Sequence, residues 1–204
     1  KPTTLIAAID SFSGLGRANK IPWKLPGEQK AFKDITIGSG KNAVIMGRKT
    51  WESLPKKVLE QRENVIVSTT LHKSKVIAPV SIFSKFEEAM SYCSNNSNID
   101  KIFIIGGGEI YETAARLGFV DHLHLTMVPG DYNCDTFLKL PKYSRLIDER
   151  TTATYGDVKT EIEKSTFLFK NVNEQKYLGL LNNLVNQCKI RPSRNSPTIS
   201  SFSK

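Results

Sequence analysis

The run Lys101-Ile102-Phe103-Ile104-Ile105-Gly106-Gly107-Gly108-Glu109 constrains the fold of this chain more tightly than any other stretch. Its strand portion is apolar without polar alternation, so it must be covered on both faces, and three glycines carry it straight into helix-forming sequence. Val44-Ile45-Met46-Gly47-Arg48-Lys49 repeats the arrangement. Strand-like runs rich in β-branched residues fall at 3–9, 43–46, 64–68, 76–80, 101–105 and 122–128, and helical patterns at 27–37, 49–54, 85–93 and 109–116. Such alternation predicts an α/β fold, a mostly parallel central sheet with helices on both faces. Two late strands are expected at 146–154 and 165–172. After residue 172 the character changes. Residues 174–187 read as an amphipathic helix striped by Tyr177, Leu178, Leu181, Leu184 and Val185, and the remainder is polar and Pro/Ser-rich. The expected division is a domain over 1–172 and a C-terminal helix and tail over 173–204.

Composition narrows the function classes. A chain of 204 residues with 39% hydrophobic content fits one domain with an extension. Its apolar runs are too short to span a bilayer, and no membrane partner is expected. Cys93, Cys134 and Cys188 show no Cys-x-x-Cys spacing, which speaks against a disulfide framework and for the cytoplasm. The net charge of +9 is scattered rather than clustered among stacking aromatics, so a basic enzyme drawing polyanionic small molecules is expected and a nucleic-acid partner is not. His122 and His124 share one strand face beside Asp121, but no third ligand has suitable spacing and no metal is expected.

Three constellations carry chemistry. In Ile21-Pro22-Trp23-Lys24-Leu25-Pro26-Gly27-Glu28 the prolines bias the chain away from helix until Gly27 or Glu28, so Glu28 opens a helix beside an apolar turn. Phe32, one turn on, shares its face, and a ring beside a carboxylate suits a flat, hydrogen-bonding heterocycle. The glycines of Gly106-Gly107-Gly108 let backbone N–H groups approach an anion at a helix start. Arg48 and Lys49 follow a strand and Gly47, two cations fit to clamp a phosphate, and the 2'-phosphate that separates NADP from NAD is a candidate.

These residues resemble dihydrofolate reductase from about 3 to 172. Leu5-Ile6-Ala7-Ala8, Gly14-Leu15-Gly16, Ile21-Pro22-Trp23, Gly47-Arg48-Lys49-Thr50-Trp51-Glu52-Ser53, Gly106-Gly107-Gly108-Glu109-Ile110-Tyr111 and Asp135-Thr136-Phe137 stand in the family's order and spacing. The resemblance implies NADPH-dependent reduction of 7,8-dihydrofolate to 5,6,7,8-tetrahydrofolate, with hydride delivered to C6 and a proton to N5. It implies Glu28, Trp23 and Ile21 as the catalytic group, with Ile21 on a mobile loop over the nicotinamide. Substrate would be bound by Ile6, Ala7, Glu28, Phe32, Arg62 and Thr126, Arg62 taking the folate α-carboxylate. NADPH would lie against Ala8, the loop Gly14, Leu15, Gly16, Arg17, Ala18, Asn19 and Lys20, then Arg48, Lys49, Thr50, Ser68 and Thr69, and the turn Gly106, Gly107, Gly108, Glu109, Ile110 and Tyr111. The family holds the bond equivalent to Gly106-Gly107 in cis. The tail, from Glu174-Gln175-Lys176-Tyr177-Leu178-Gly179 onward, resembles the opening of thymidylate synthase, with Arg194 at a phosphate-binding position. A reductase-synthase fusion is therefore expected. Dihydrofolate and antifolates are the expected ligands, the isolated domain would be a monomer, and a fused chain would be a homodimer through its synthase domain.

Overall fold

The computed structural model describes residues 1–72, 74, 76, 79–141 and 145–167. The tail helix expected at 174–187, the close of the last strand after Phe167, and Cys188 lie outside them. Strand β1 (Thr3–Ile9) is followed by a short β2 (Gly14–Gly16), helix α1 (Glu28–Ile37), β3 (Asn42–Gly47), α2 (Arg48–Ser53) and β4 (Arg62–Val67). Then come β5 (Ser81–Phe83), α3 (Phe86–Asn95), β6 (Lys101–Gly106), α4 (Gly108–Arg116), β7 (His122–Met127), β8 (Thr136–Phe137), β9 (Arg145–Tyr155) and β10 (Val158–Phe167). Eight strands form one sheet in the order β5-β4-β3-β6-β1-β7-β10-β9, while β2 and β8 pair separately. The six strands from β5 to β7 run parallel, and the β10 and β9 hairpin joins β7 antiparallel.

Successive side chains on a strand point to opposite faces, which splits the core in two. Leu5, Ala7, Ile45, Ile102 and Ile104 pack with Ala89, Met90 and Ala114 of α3 and α4. Ile6, Val44, Met46, Ile66 and Phe103 pack on the other face with Trp51 of α2 and with Phe32 and Ile35 of α1. Ile45 and Ile104 are buried on one face and Val44 and Phe103 on the other, which explains why these runs carry no polar alternation: neither face of the strand meets water. Each such side chain contributes about 1.5–3 kcal/mol by leaving water. Among the described residues, no helix is long and apolar enough to cross a membrane.

Most helix and strand edges lie within a residue or two of expectation, the ordinary scatter of element ends. One strand is displaced: instead of 76–80, pairing with β4 begins at Ser81, opposite Val65. Pro79 has no N–H to give a ladder, so the chain enters the sheet only after it. Val80 is nonetheless buried, which is why the run looked like a strand. The late hairpin is longer than expected, since β10 starts at Val158 rather than Ser165. Its outer strand β9 is largely exposed, and an edge strand rich in Thr and charge carries little apolar signal.

Candidate active site

Neighbouring strands β1 and β6 send the chain to opposite faces, β1 towards α1 and β6 into α4. A crevice opens outside the carboxyl ends of parallel strands where connections diverge in this way. Ala8 of β1 stands opposite Thr126 of β7 at that edge, and Gly106 closes β6 beside Met46 of β3. Thr126 is buried.

Glu28 is the first residue of α1. Gly27 before it adopts φ 95°, a left-handed conformation that a residue with a Cβ resists, and the Leu25 carbonyl accepts the Glu28 N–H at 3.1 Å. The side chain is half-buried, and burial pushes its carboxyl above the usual carboxylate range. Among the described residues no Lys or Arg pairs with it to offset that shift. Tyr111 of α4 is buried nearby and donates its hydroxyl to the Ile6 carbonyl at 2.8 Å. Burial first, and the Glu28 charge second, push the Tyr111 phenol upward.

The two glycine joints meet. The peptide Gly106-Gly107 is cis, as the family resemblance implied. A Cβ on Gly106 would stand 3.2 Å from the Tyr111 hydroxyl, and one on Gly107 would stand 3.3 Å from Thr50 Oγ1. A Cβ on Gly47 would meet Ile110 Cγ1 at 3.2 Å, and one on Gly108 would meet Thr136 Cγ2 at 3.1 Å and Leu15 Cδ1 at 3.8 Å. The starts of α2 and α4 and the β2–β8 pair therefore converge, bringing together Leu15, Thr50, Gly106, Gly107, Gly108, Ile110 and Tyr111. Glu109 is exposed on the first turn of α4. Gly107 gives α4 no side-chain cap, so its first N–H groups keep their donor capacity.

Arg48 is engaged within its own helix, donating to both carboxylate oxygens of Glu52 at 2.7 and 2.9 Å, while Lys49 is exposed. Ser68 turns its hydroxyl towards the backbone N–H groups of Thr70 and Leu71 at 3.2 and 3.0 Å, with Thr69 exposed beside it. In the loop after β1, Gly14 is buried, Arg17 and Lys20 close a two-residue turn, and Ala18 and Asn19 take positive φ of 48° and 60°. The Ala18 N–H donates to Asp135 at 2.8 Å, and the Asp135 N–H donates to Gly16 at 3.0 Å. Ile21 is 64% exposed, whereas Trp23 is buried and meets Tyr132 edge-on at 5.2 Å.

Arg62 is set apart from Glu28 by the length of α1. It lies at the far end of α1, donating to Thr36 Oγ1 at 2.7 Å and to the Glu60 carbonyl at 3.0 Å. From Glu28 to Thr36 the helix advances about 12 Å at 1.5 Å per residue. Phe32 and Ile35 lie on the sheet side of α1 between these ends.

A residue absent from the expected set ties the loop down. Asp10 is 2% exposed and accepts the N–H groups of Phe12 at 2.9 Å, Gly14 at 2.7 Å and Tyr132 at 3.3 Å. Burial raises its carboxyl, but these donors together with the Cys134 thiol outweigh it and hold the group below its ordinary value. An Asp accepting the N–H two residues on is a local turn signal, whereas its bonds to 132 and 134 have no signature in spacing.

A sequence model of the dihydrofolate reductase family matches residues 3–176. The chain is similar to the bifunctional dihydrofolate reductase-thymidylate synthase of Paramecium tetraurelia, at 31% identity over 87% of this chain and 37% of that protein. It is similar to the bifunctional protein of Daucus carota at 32% identity, over 89% of this chain and 44% of the relative. It is also similar to the dihydrofolate reductase of Candida albicans, at 37% identity over 67% of this chain and 75% of the relative. The chain thus spans less than half the length of the bifunctional proteins it matches. With the family model covering most of its residues, the chain belongs to the dihydrofolate reductase family.

Proposed function

We propose that this chain reduces 7,8-dihydrofolate to 5,6,7,8-tetrahydrofolate with NADPH. The observation that carries the reading is Glu28, a half-buried carboxyl raised by burial at one end of a helix whose other end presents Arg62. A substrate matching this layout has a flat head with paired N–H donors, an apolar middle and an anionic tail about 12 Å away. Dihydrofolate has that plan.

Glu28 accepts the paired N–H donors of the pterin in a bidentate, charge-assisted bond and favours protonation of N5 through water. Thr126 supports that end of the ring, while Ile6 and Phe32 supply its apolar walls and Ala7, whose side chain turns into the α3–α4 core, borders it with backbone. The guanidinium of Arg62 matches a carboxylate fork in a way that a lysine cannot. Trp23 and Ile21 exclude water from the reacting edge. For the cofactor, the uncapped start of α4 offers the backbone donors a pyrophosphate needs, and the bare glycines admit it without a side chain in the way. Ala8, Gly14 to Lys20, Thr50, Ser68, Thr69 and 106–111 would hold NADPH, with Lys49 free to reach its 2'-phosphate and Arg48, whose Nη1 is taken by Glu52, contributing its remaining N–H donors. When bound, NADPH supplies the hydride; the chain's part is to position and desolvate.

Mixing the chain with NADPH and dihydrofolate tests this reading. Cofactor oxidation that requires dihydrofolate and stops with an antifolate is the expected result; no acceptor-dependent oxidation would overturn it. The reaction suits a cytoplasmic folate pool and a monomeric domain. In a fused chain, residues 173–204 would lead into a synthase domain through which two copies pair. Size measurement of the isolated and full-length proteins checks both statements.

A further inference from the structure

The β9–β10 hairpin reaches the active-site end of α1. Its strands are joined by the two-residue turn Gly156-Asp157, with Tyr155 opposite Val158. Tyr155 is half-buried although Thr154, Gly156 and Asp157 around it are exposed, so something covers its ring at an otherwise open tip. Gly27, immediately before Glu28, lies against that ring, and Pro26 lies against the neighbouring Gly156. A Cβ on Gly156 would stand 3.2 Å from Pro26 Cγ and 3.3 Å from Pro26 Cδ, and one on Gly27 would stand 3.9 Å from Tyr155 Cδ1. Both glycines take positive φ, 61° at Gly156 and 95° at Gly27, so the approach depends on backbone that other residues adopt at a cost. Among the described residues, Tyr111 from α4 and Tyr155 from β9 feel the Glu28 charge: the phenol of each is pushed up first by burial and then by that charge. Beneath the site, β1 presents the apolar Ile6 on the α1 side of the sheet.

We propose that Tyr155 is a positioning residue for Glu28: its ring forms the outer wall of the carboxylate's pocket and keeps bulk water from that side. The wall thereby sets the pH range over which Glu28 holds a proton. This inference rests on Glu28 being the active-site carboxyl. The apolar ring rather than the hydroxyl does the shielding, so Tyr155→Phe preserves it and Tyr155→Ala removes it.

The test is a carbon-13 NMR titration of the Glu28 carboxyl in the unmutated chain, Tyr155→Phe and Tyr155→Ala, with the pH profile of dihydrofolate reduction recorded alongside. Removing the ring is expected to lower the midpoint by about half a pH unit or more, since desolvation is what raises it. Tyr155→Phe is expected to keep the original midpoint. In the unmutated chain the Tyr155 ring resonances should titrate in step with Glu28. A Tyr155→Ala protein with the original midpoint, or ring resonances that ignore Glu28, would overturn the proposal. Because the second measurement needs no variant, it decides the matter even if Tyr155→Ala fails to fold. A midpoint that moves in a chain unable to reduce dihydrofolate would leave the wall standing and remove the catalytic reading instead.

Discussion

Asp10 and Glu28 stand at either end of the loop over the crevice, and their surroundings push them in opposite directions. Asp10 is almost fully enclosed, yet three backbone N–H groups and a thiol hold its carboxyl below the ordinary value. Glu28 is only half-buried, yet its carboxyl is raised, because burial acts on it without offsetting donors. Enclosure alone therefore does not decide how a carboxyl behaves; the donors supplied with it do. A carboxylate whose lone pairs are already taken is structural. One left short of partners is ready to accept hydrogen bonds or a proton from a substrate.

The largest test of this contrast is Glu28→Gln, expected to slow dihydrofolate reduction about 10²–10⁴-fold at neutral pH, with partial recovery in acid where the substrate protonates unaided. Steady-state rates across pH check it. Asp10→Asn should leave the shape of the pH profile unchanged and lower stability by about 2 kcal/mol, read as a lower denaturant midpoint, because it weakens charge-assisted bonds in a buried site. Next, Arg62→Lys should raise KM for dihydrofolate roughly tenfold with little change in kcat, the scale of one charge-assisted hydrogen bond. The smallest effect concerns stability at Glu28 and has the opposite sign to that at Asp10. The depressed Asp10 stabilises the fold above the value it has when unfolded, and that contribution fades as pH falls through its lower folded value. The raised Glu28 favours the fold below its unfolded value, a contribution lost as pH rises through the higher folded one. Glu28→Gln should thus be slightly more stable than the parent at neutral pH, by less than about 1 kcal/mol, which thermal melts at two pH values can show.

The parallel sheet was legible because fully buried strands write themselves as uninterrupted apolar runs, as in Ile102-Phe103-Ile104-Ile105. Glu28 was legible through the prolines that fix where α1 begins. The strand β5 was misplaced because Val76 and Val80 look like ladder residues, and only Pro79 between them argues otherwise. Asp10 and Tyr155 were missed for a different reason. Each acts through contacts more than about 120 residues distant in the chain, Asp10 with Tyr132 and Tyr155 with Gly27. Neither periodicity nor a local motif records such pairings. Arg62 enters as a candidate only through the family resemblance, and its place at the opposite end of α1 from Glu28 emerges only when β4 is set parallel to β3.

The most direct measurement is to titrate both carboxyls in one sample by carbon-13 NMR. The contrast between the two carboxyls predicts a Glu28 midpoint above that of an unperturbed glutamate and an Asp10 midpoint below that of an unperturbed aspartate. A Glu28 carboxyl that titrates at or below its ordinary value would contradict it.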